Sequence, residues 1–405
     1  MKTTWQSKSE FSKIIIPALT GFSTLLIGIG IGRFGYPPLI PALVKEGWFT
    51  ISQADYLGAS NLTGYIIGSA FATWINKHIS FIPLIRISLL TVVLMFILCA
   101  FQFNFFIYFI LRLITGIAGG IIMVLTAPTI FKHSTTTKKG LLGGIIFSGV
   151  GIGIALAGTL IPFLIHQGLK TTWFVFAGIS FLLVIFFWTS WPDGSNEKQE
   201  FQPSFKSGIK HSIWSKTIVL LLISYVCNAV GFVPHTVFWV DFISRGLDKG
   251  LETGTNFWIL LGLSAAIGPV ITGLMADKFG FSKSIRISLF IKGIGVVMPI
   301  FSTSTWSLAI SSIFVGSLAL GISSLAAGRV TEIVAPDLQK KLWSWMTIGF
   351  SITHALTAYV LTYIFSVTDS YYLLFKIGAL TLIIGCVLDF IASKTTSQDN
   401  LTTQP

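Results

Sequence analysis

One arginine interrupts a long apolar run near the start of the chain, within the segment LLIGIGIGRFGYPPLIPALV. Nineteen uncharged residues precede Arg33, and the next charged residue along the chain is Lys45. A guanidinium at the centre of a lipid bilayer costs about 2.5–3.5 kcal/mol on insertion scales, so a function is expected for it. Its planar fork of donors fits a carboxylate or a phosphate. We interpret Arg33 as a binding group for an anionic substrate; a salt bridge or carbonyl contact inside its own bundle is the alternative.

Other polar side chains in the first apolar runs are spaced to share helix faces. Tyr36 follows Arg33 by three residues and is expected on the same face. Asn61 and Tyr65 are four residues apart and form one polar stripe, which should face protein or water rather than lipid. We expect all three to bind substrate, although Asn61 and Tyr65 could instead bridge helices.

Two histidines and a tryptophan complete the candidates in the second half of the chain. His235 follows Pro234 within one apolar run, and His354 lies in a later one. Imidazole titrates near physiological pH, so each is expected to contact substrate or to exchange a proton. The alternative for both is a hydrogen-bonded interior histidine. Trp258 is expected as a stacking surface for the substrate, with anchoring at the membrane interface as its alternative.

The acidic residues are informative by their placement. The chain has 15 Asp and Glu, and those nearest to an apolar run, Asp55, Asp241 and Asp389, lie at its edge. A deeply buried carboxylate, the usual proton carrier, is therefore missing, and proton coupling would need His235, His354, an edge carboxylate or the substrate itself. The same balance favours an anionic substrate over a cationic drug. No motif for phosphate binding, metal binding or nucleophilic catalysis is present, so we expect no enzyme, no metal and no cofactor.

These residues must be positioned by membrane-spanning helices. Hydrophobic residues make up 53% of 405, charged residues 10%, and the mean hydropathy is +0.81. Apolar runs of about 20 residues, the length that crosses a bilayer as a helix, follow one another along the chain. We predict an all-α membrane protein with twelve transmembrane helices. They are expected at 14–44, 52–75, 82–103, 105–130, 141–165, 172–191, 217–240, 256–275, 284–301, 306–328, 342–365 and 371–391.

The formal net charge of +12 is explained by how Lys and Arg are distributed between the two sides of the membrane. Most of the 27 Lys and Arg fall in segments on the same side as the N-terminus, which predicts a multi-pass protein of the cytoplasmic (inner) membrane with both termini in the cytoplasm. The excess charge therefore belongs with lipid headgroups rather than with nucleic acid. We expect a small-molecule substrate and the lipid bilayer as partners, no nucleic acid, and a monomer.

The chain divides into two similar halves. The polar stretch at 192–216 is expected to be a cytoplasmic linker between six-helix bundles at 1–191 and 217–405. Arg86-Ile-Ser-Leu recurs as Arg286-Ile-Ser-Leu at an offset of 200 residues, and Gly32 aligns with Gly231. A duplicated unit predicts two bundles related by an axis along the membrane normal, with a site near the midplane.

The segment GLMADKFGFSK resembles the loop signature of the major facilitator superfamily. RLITGIAGG, which begins at Arg112, resembles the fourth-helix pattern of that superfamily, and GIGRFGYPPLIPAL with GFVPHTVFWVDFI resembles its YbfB-like bacterial branch. The resemblance implies two pseudo-symmetric six-helix bundles and a secondary active transporter that works by alternating access. It also implies that Arg112 takes part in substrate contact or proton coupling; a packing role against carbonyls is the alternative.

The same resemblance assigns a conformational switch to the loop signature. Asp277 would hold a basic residue or a helix terminus in one state and release it in the other; a simple solvated turn is the alternative. The residues of the switch are expected to be Gly273, Asp277, Lys278, Gly280, Lys283 and Arg286. The matching loop after the second helix is degraded, with Asn76 in place of the acid.

Together these features favour a transporter of a small organic anion. An efflux pump for amphipathic compounds or drugs is the alternative within the same class. A transporter-like sensor and a membrane-embedded enzyme are the alternatives from other classes. The substrate, the direction of flux and the coupling ion are left open by the sequence.

Overall fold

The computed structural model describes residues 10–134, 136–191 and 215–402, and within these ranges it contains helices and no strand. Twelve long helices follow in order. They are α1 (Glu10–Leu25), α2 (Ile51–His78), α3 (Phe81–Cys99), α4 (Phe105–His133), α5 (Lys139–Leu164), α6 (Leu169–Phe187), α7 (Lys216–Val237), α8 (Gly250–Phe279), α9 (Phe281–Phe301), α10 (Thr305–Ile333), α11 (Pro336–Thr368) and α12 (Tyr371–Thr402). The predicted all-α, twelve-helix fold is confirmed.

Most of these helices are both long and apolar enough to cross a membrane. Eleven spans meet that criterion among the described residues. The remaining long helix, α2, has 28 residues, which is more than the length a bilayer requires. The predicted linker at 192–216 lies outside the described residues except for Ser215 and Lys216, and the domain boundaries drawn from it stay a prediction.

The first span is not the continuous helix that its apolar run predicts. A π-helix, Leu26–Ile31, follows α1, and a short α-helical turn, Gly32–Phe34, carries the arginine. The chain then passes through a 3₁₀ segment, Pro37–Leu39, before a last helical piece, Ile40–Lys45. Adjacent prolines lack backbone donors and cannot continue the α-helical ladder, so the span is irregular where Arg33 lies.

Several helices extend beyond the runs that predicted them because their polar ends remain helical outside the apolar layer. Helix α8, predicted at 256–275, runs from Gly250 to Phe279. Side chains cap several starts: Thr50 and Gln53 form a reciprocal capping box at α2, and Asn104 accepts from the Ile107 N–H at 3.0 Å at α4. Hydropathy identifies the apolar stretch of a helix, whereas capping side chains determine where the helix begins.

The described residues form two compact units. The N-terminal unit is drawn from Met1–Lys138 and Ile145–Glu200, and the C-terminal unit from Lys139–Gly144 and Phe201–Pro405. The first six residues of α5 therefore belong to the C-terminal unit, although the rest of that helix belongs to the N-terminal one.

Helix packing repeats between the units at the sequence offset. In the N-terminal unit, Gly116 of α4 lies so close to α2 that a Cβ would collide with the backbone oxygen of Asn61. In the C-terminal unit, Gly316 of α10 is in the same position against the backbone oxygen of Leu261 in α8. Gly116 and Gly316 are 200 positions apart, and so are Asn61 and Leu261. The sequence repeat therefore corresponds to one helix contact that occurs in both units.

A single methyl group at this contact should destabilise the protein. We expect Gly116→Ala to force α2 and α4 apart and to lower the free energy of unfolding by about 1–3 kcal/mol. Thermal unfolding of the purified protein in detergent measures the effect. Gly178→Ala in α6 is the control, because nothing lies within 4 Å of a Cβ there. Equal stability of the two variants would contradict the packing assignment.

The paired arginines of the repeat also have matching roles. The Arg86 guanidinium lies 4.6 Å from the Trp188 ring centroid and donates to the Trp188 carbonyl at 2.6 Å, just after α6. Arg286 lies 5.4 Å from the Phe390 ring centroid on α12 and donates to Ser393 Oγ at 2.9 Å. Each arginine thus connects the third helix of its unit (α3 or α9) to the C-terminal end of the sixth (α6 or α12).

Candidate functional site

Arg33 is held on aromatic rings within the N-terminal unit. Its guanidinium carbon lies 5.1 Å from the centroid of the Tyr65 ring and 5.2 Å from that of Phe34. The side chain is half-buried. Within the described part of the chain, Arg33 makes no hydrogen bond or ion pair, so the internal salt bridge considered as an alternative is not formed there. Ring faces stabilise a cation but leave its N–H donors available to an anion.

The backbone before Arg33 departs from α geometry. The π-helical turn at Leu26–Ile31 is buried throughout, and π segments in spans are frequent at functional sites. The Gly35 N–H still bonds the Ile31 oxygen at 2.9 Å, the α-helical turn ends at Phe34, and Pro38 is exposed within the 3₁₀ segment that follows. The irregular backbone therefore coincides with the one half-buried arginine of this span.

Arg112, by contrast, is enclosed. Its side chain is 1% exposed, Nη1 donates to the Gly32 oxygen at 3.3 Å, and its guanidinium lies 4.4 Å from the centroid of the Tyr36 ring. Nε and Nη2 have no hydrogen-bond partner among the described residues. The contact with a backbone carbonyl matches the packing role considered for this residue. Its position directly behind the turn that carries Arg33 suits it to support that turn.

Tyr36 and Asn61 belong to the same interior network. The Tyr36 hydroxyl donates to the Ala54 oxygen at 2.9 Å, and Asn61 Nδ2 donates to the Arg112 oxygen at 3.1 Å. Both side chains are buried, as is Tyr65 on the next turn of α2, whose ring contacts Arg33. The structure thus brings Arg33 and Tyr65 together at one place and puts Arg112, Tyr36 and Asn61 behind them.

His235 occupies the interior of the C-terminal unit. It is 0% exposed, and its Nε2 lies 2.8 Å from Ser311 Oγ. Because that hydroxyl donates its proton to the Gly295 oxygen at 2.7 Å, the histidine must be the donor at Nε2. The ring also stacks on Trp239 with centroids 4.3 Å apart. This is the geometry of the hydrogen-bonded interior histidine considered as the alternative.

His354 and Trp258 are more accessible. His354 is half-buried, its Nδ1 lies 3.3 Å from the Ala229 oxygen, and its ring is parallel to Phe350 within 6°. Trp258 on α8 is 37% exposed, and no hydrogen bond or ring contact involves it among the described residues.

Lys292 of α9 was not among the predicted site residues, and it lies in the interior of the C-terminal unit. The side chain of Lys292 is 0% exposed, and Nζ donates to Asn228 Oδ1 at 2.8 Å. Nζ also lies 4.3 Å from the centroid of the Phe232 ring. The sequence does contain a sign of this burial. Lys292 follows Arg286 by six residues, which places it about 9 Å further along α9 towards the middle of the span.

The loop signature forms a helix cap. Asp277 accepts from the Gly140 N–H through Oδ1 at 2.7 Å and from the Leu141 N–H through Oδ2 at 2.8 Å. All three residues belong to the C-terminal unit. A carboxylate here satisfies two unpaired donors of α5 and complements the positive end of its dipole. Lys138, which precedes α5, supplies no side-chain cap.

The other members of the predicted switch lie around this carboxylate or away from it. Gly273 approaches the Gly140 backbone too closely for a side chain, and Gly280 has φ +80°, which favours glycine. Arg286 instead pairs with Asp389 at 3.6 Å. The two lysines of the predicted switch both contact Phe279. Their Nζ atoms lie 5.4 Å (Lys278) and 5.3 Å (Lys283) from the centroid of its ring.

Two of the three carboxylates predicted at the edges of apolar runs, Asp241 and Asp389, have partners in the structure, and the side chain of Asp55 lies outside the described part of the chain. Asp389 is 2% exposed and forms the ion pair with Arg286. Asp241, in the short piece after α7, accepts from Arg245 Nε and from the Tyr371 hydroxyl. The hydrogen bond from Arg245 lowers the pKa of the Asp241 carboxyl, which keeps it ionised.

Comparison with known proteins identifies the family. A family model described as "Uncharacterised MFS-type transporter YbfB" matches residues 25–390. A class H tetracycline resistance protein of Pasteurella multocida is 25% identical over 88% of this chain and 91% of its own length. A gallate transporter of Pseudomonas putida is 20% identical over 80% of this chain and 78% of its own. The solved fucose:proton symporter of E. coli has the same fold, with a TM-score of 0.76 at 12% identity, over 94% of this chain and 99% of that one.

Proposed function

The chain belongs to the YbfB-like family of major facilitator superfamily transporters, and from that premise we propose that it is a secondary active transporter of a small organic anion. It is a multi-pass membrane transporter and not an enzyme. Alternating access is the proposed mechanism. We also propose the cytoplasmic membrane as its location, with both termini in the cytoplasm, on the basis of the distribution of Lys and Arg.

The half-buried Arg33 is the observation that supports an anionic substrate. It combines a cation within a membrane span, aromatic faces at 5.1 and 5.2 Å, and no anionic partner among the described residues. A cation in such surroundings is stabilised when an anion with matching acceptors arrives. The similarity to a gallate transporter supports an aromatic carboxylate as the first compound to test.

Efflux of amphipathic compounds is the second candidate. The relative that is 25% identical over most of both chains is a tetracycline resistance protein, which supports export of a drug. Against it, Asp241 and Asp389, the described carboxylates at the edges of apolar runs, are already paired and so are not available to a cationic drug.

Transport by the reconstituted protein separates the two candidates. We expect full-length protein in liposomes to take up radiolabelled gallate in a saturable way and to leave tetracycline at the level of empty liposomes. Saturable tetracycline movement without gallate movement would favour the efflux pump. If neither compound is transported, both proposed substrates are wrong, while membership of the transporter family is unaffected.

A further inference from the structure

A buried lysine in the C-terminal unit takes no part in the function proposed above. Lys292 lies in the middle of α9, is 0% exposed, and has Asn228 Oδ1 as its hydrogen-bond acceptor at 2.8 Å. The face of Phe232 covers it at 4.3 Å from the ring centroid. Among the described side chains no carboxylate pairs with it. An ammonium in apolar surroundings normally has such a partner, so this arrangement requires a reason.

The amide of Asn228 can serve a lysine in either protonation state. Its Oδ1 accepts from an ammonium, as in this structure. Its Nδ2 is buried, has no hydrogen-bond partner among the described residues, and can donate to the lone pair of a neutral amine. A half-turn of the amide exchanges the two arrangements. Lysine can lose its proton in a protein, whereas arginine cannot, so the residue type matters here.

We propose that Lys292 carries the coupling proton, alternating between ammonium and amine as the protein transports its substrate. The proton is accepted from water on one side of the membrane and released to water on the other, and the N–H bond is the one bond made and broken. The inference rests on the transporter function proposed above. It supplies a titratable group that Asp241 and Asp389 do not, because both of these described edge carboxylates are already paired.

Two histidines are connected to this lysine, His235 electrostatically and His354 through the shared ring of Phe232. His235 on α7 interacts with Lys292 electrostatically, but its Nε2 is committed to Ser311. His354 on α11 lies on Phe232, with ring centroids 5.9 Å apart, and its Nδ1 contacts the Ala229 oxygen.

The described charged groups on the other helices around α9 are paired, exposed or used elsewhere. Asp277 of α8 caps α5, Arg329 and Glu332 of α10 pair with each other at 2.5 Å, and Lys376 of α12 is exposed. Asp389 of α12 pairs with Arg286 at the start of α9. Lys292 is thus left as a titratable cation that no described charge neutralises.

The first test needs no substrate. Lys292→Arg fixes the charge and Lys292→Met removes it, so their unfolding should depend on pH differently from that of the wild type. We expect the wild type to gain stability over Lys292→Arg as pH rises, and to lose stability relative to Lys292→Met as pH falls. One proton changes the unfolding equilibrium constant by up to about tenfold per pH unit. Thermal unfolding of the full chain in detergent between about pH 5.5 and about pH 9 measures both differences.

Lys376→Arg is the matched control, because it makes the same change at an exposed lysine of the same unit. Its difference from the wild type should not vary with pH. The proposal is overturned if the difference for Lys292→Arg is equally constant. If that variant fails to fold, Lys292→Met decides by itself, and a constant difference for it has the same meaning.

Proteoliposomes test the coupling itself, with gallate as the probe. We expect Lys292→Arg to lose accumulation driven by a pH gradient but to keep exchange of internal for external gallate, which needs no net proton movement. Accumulation equal to that of the wild type would contradict the coupling role. A wild type that does not move gallate contradicts the proposed substrate alone, because the stability measurement still decides whether Lys292 exchanges a proton.

Discussion

Arg33→Ala is expected to lower gallate uptake into proteoliposomes by at least about 30-fold, because removing one member of a buried charge pair costs about 2 kcal/mol or more. Arg33→Lys should keep partial activity, since it retains the charge and loses the planar fork of donors. The loss should appear as weaker binding, which titration of the purified variants with gallate measures directly.

The control for this experiment is Arg245→Ala. Arg245 is also an arginine, but its side chain is 76% exposed, and it pairs with Asp241 outside the apolar spans. We expect its variant to transport gallate at the wild-type rate. If Arg33→Ala is expressed normally and transports as well as this control, Arg33 is not the anion site.

Asp277→Asn is expected to slow transport about tenfold while the apparent affinity for gallate changes little. Asparagine keeps one acceptor oxygen for the two N–H groups of α5 and loses the charge at the helix start. A charge-assisted hydrogen bond contributes about 1.5–3 kcal/mol, enough to shift an equilibrium between two conformations by an order of magnitude. Initial rates over a range of gallate concentrations separate the two parameters.

Asp248→Asn provides the comparison for this change. Asp248 is an exposed aspartate in the same unit with a positive φ of 52°, a conformation that asparagine also accepts, so its variant should match the wild type. A large loss of affinity in Asp277→Asn, with an unchanged maximal rate, would contradict a role in conformational switching.

The architecture could be predicted from the sequence because it depends on local patterns. Apolar runs of sufficient length identify the spans, and the offset between Arg86 and Arg286 identifies the duplication. The loop signature placed Asp277 where it meets a helix terminus, as one of its two expected partners. Each of these features is contained within a few neighbouring residues or in a simple repeat.

The environment of each polar residue could not be predicted in the same way. Arg33 and Arg112 both appear as arginines in apolar runs, yet one is half-buried and the other 1% exposed. The difference arises from contacts between residues far apart, such as the bond from Arg112 to the Gly32 oxygen across 80 positions. The partner of Lys292 is likewise 64 positions away. Hydropathy carries no information about such pairs.

The wide turn at Leu26–Ile31 determines the direction in which the following residues point. Each residue of a regular α-helix advances the chain by about 100° around the axis, so a looser winding shifts the angular phase of everything after it. The orientation of the guanidinium is therefore not fixed by the apolar stripe of α1. Deleting one residue from this turn would restore regular winding and swing Arg33 away from the ring of Tyr65, with the composition of the span almost unchanged.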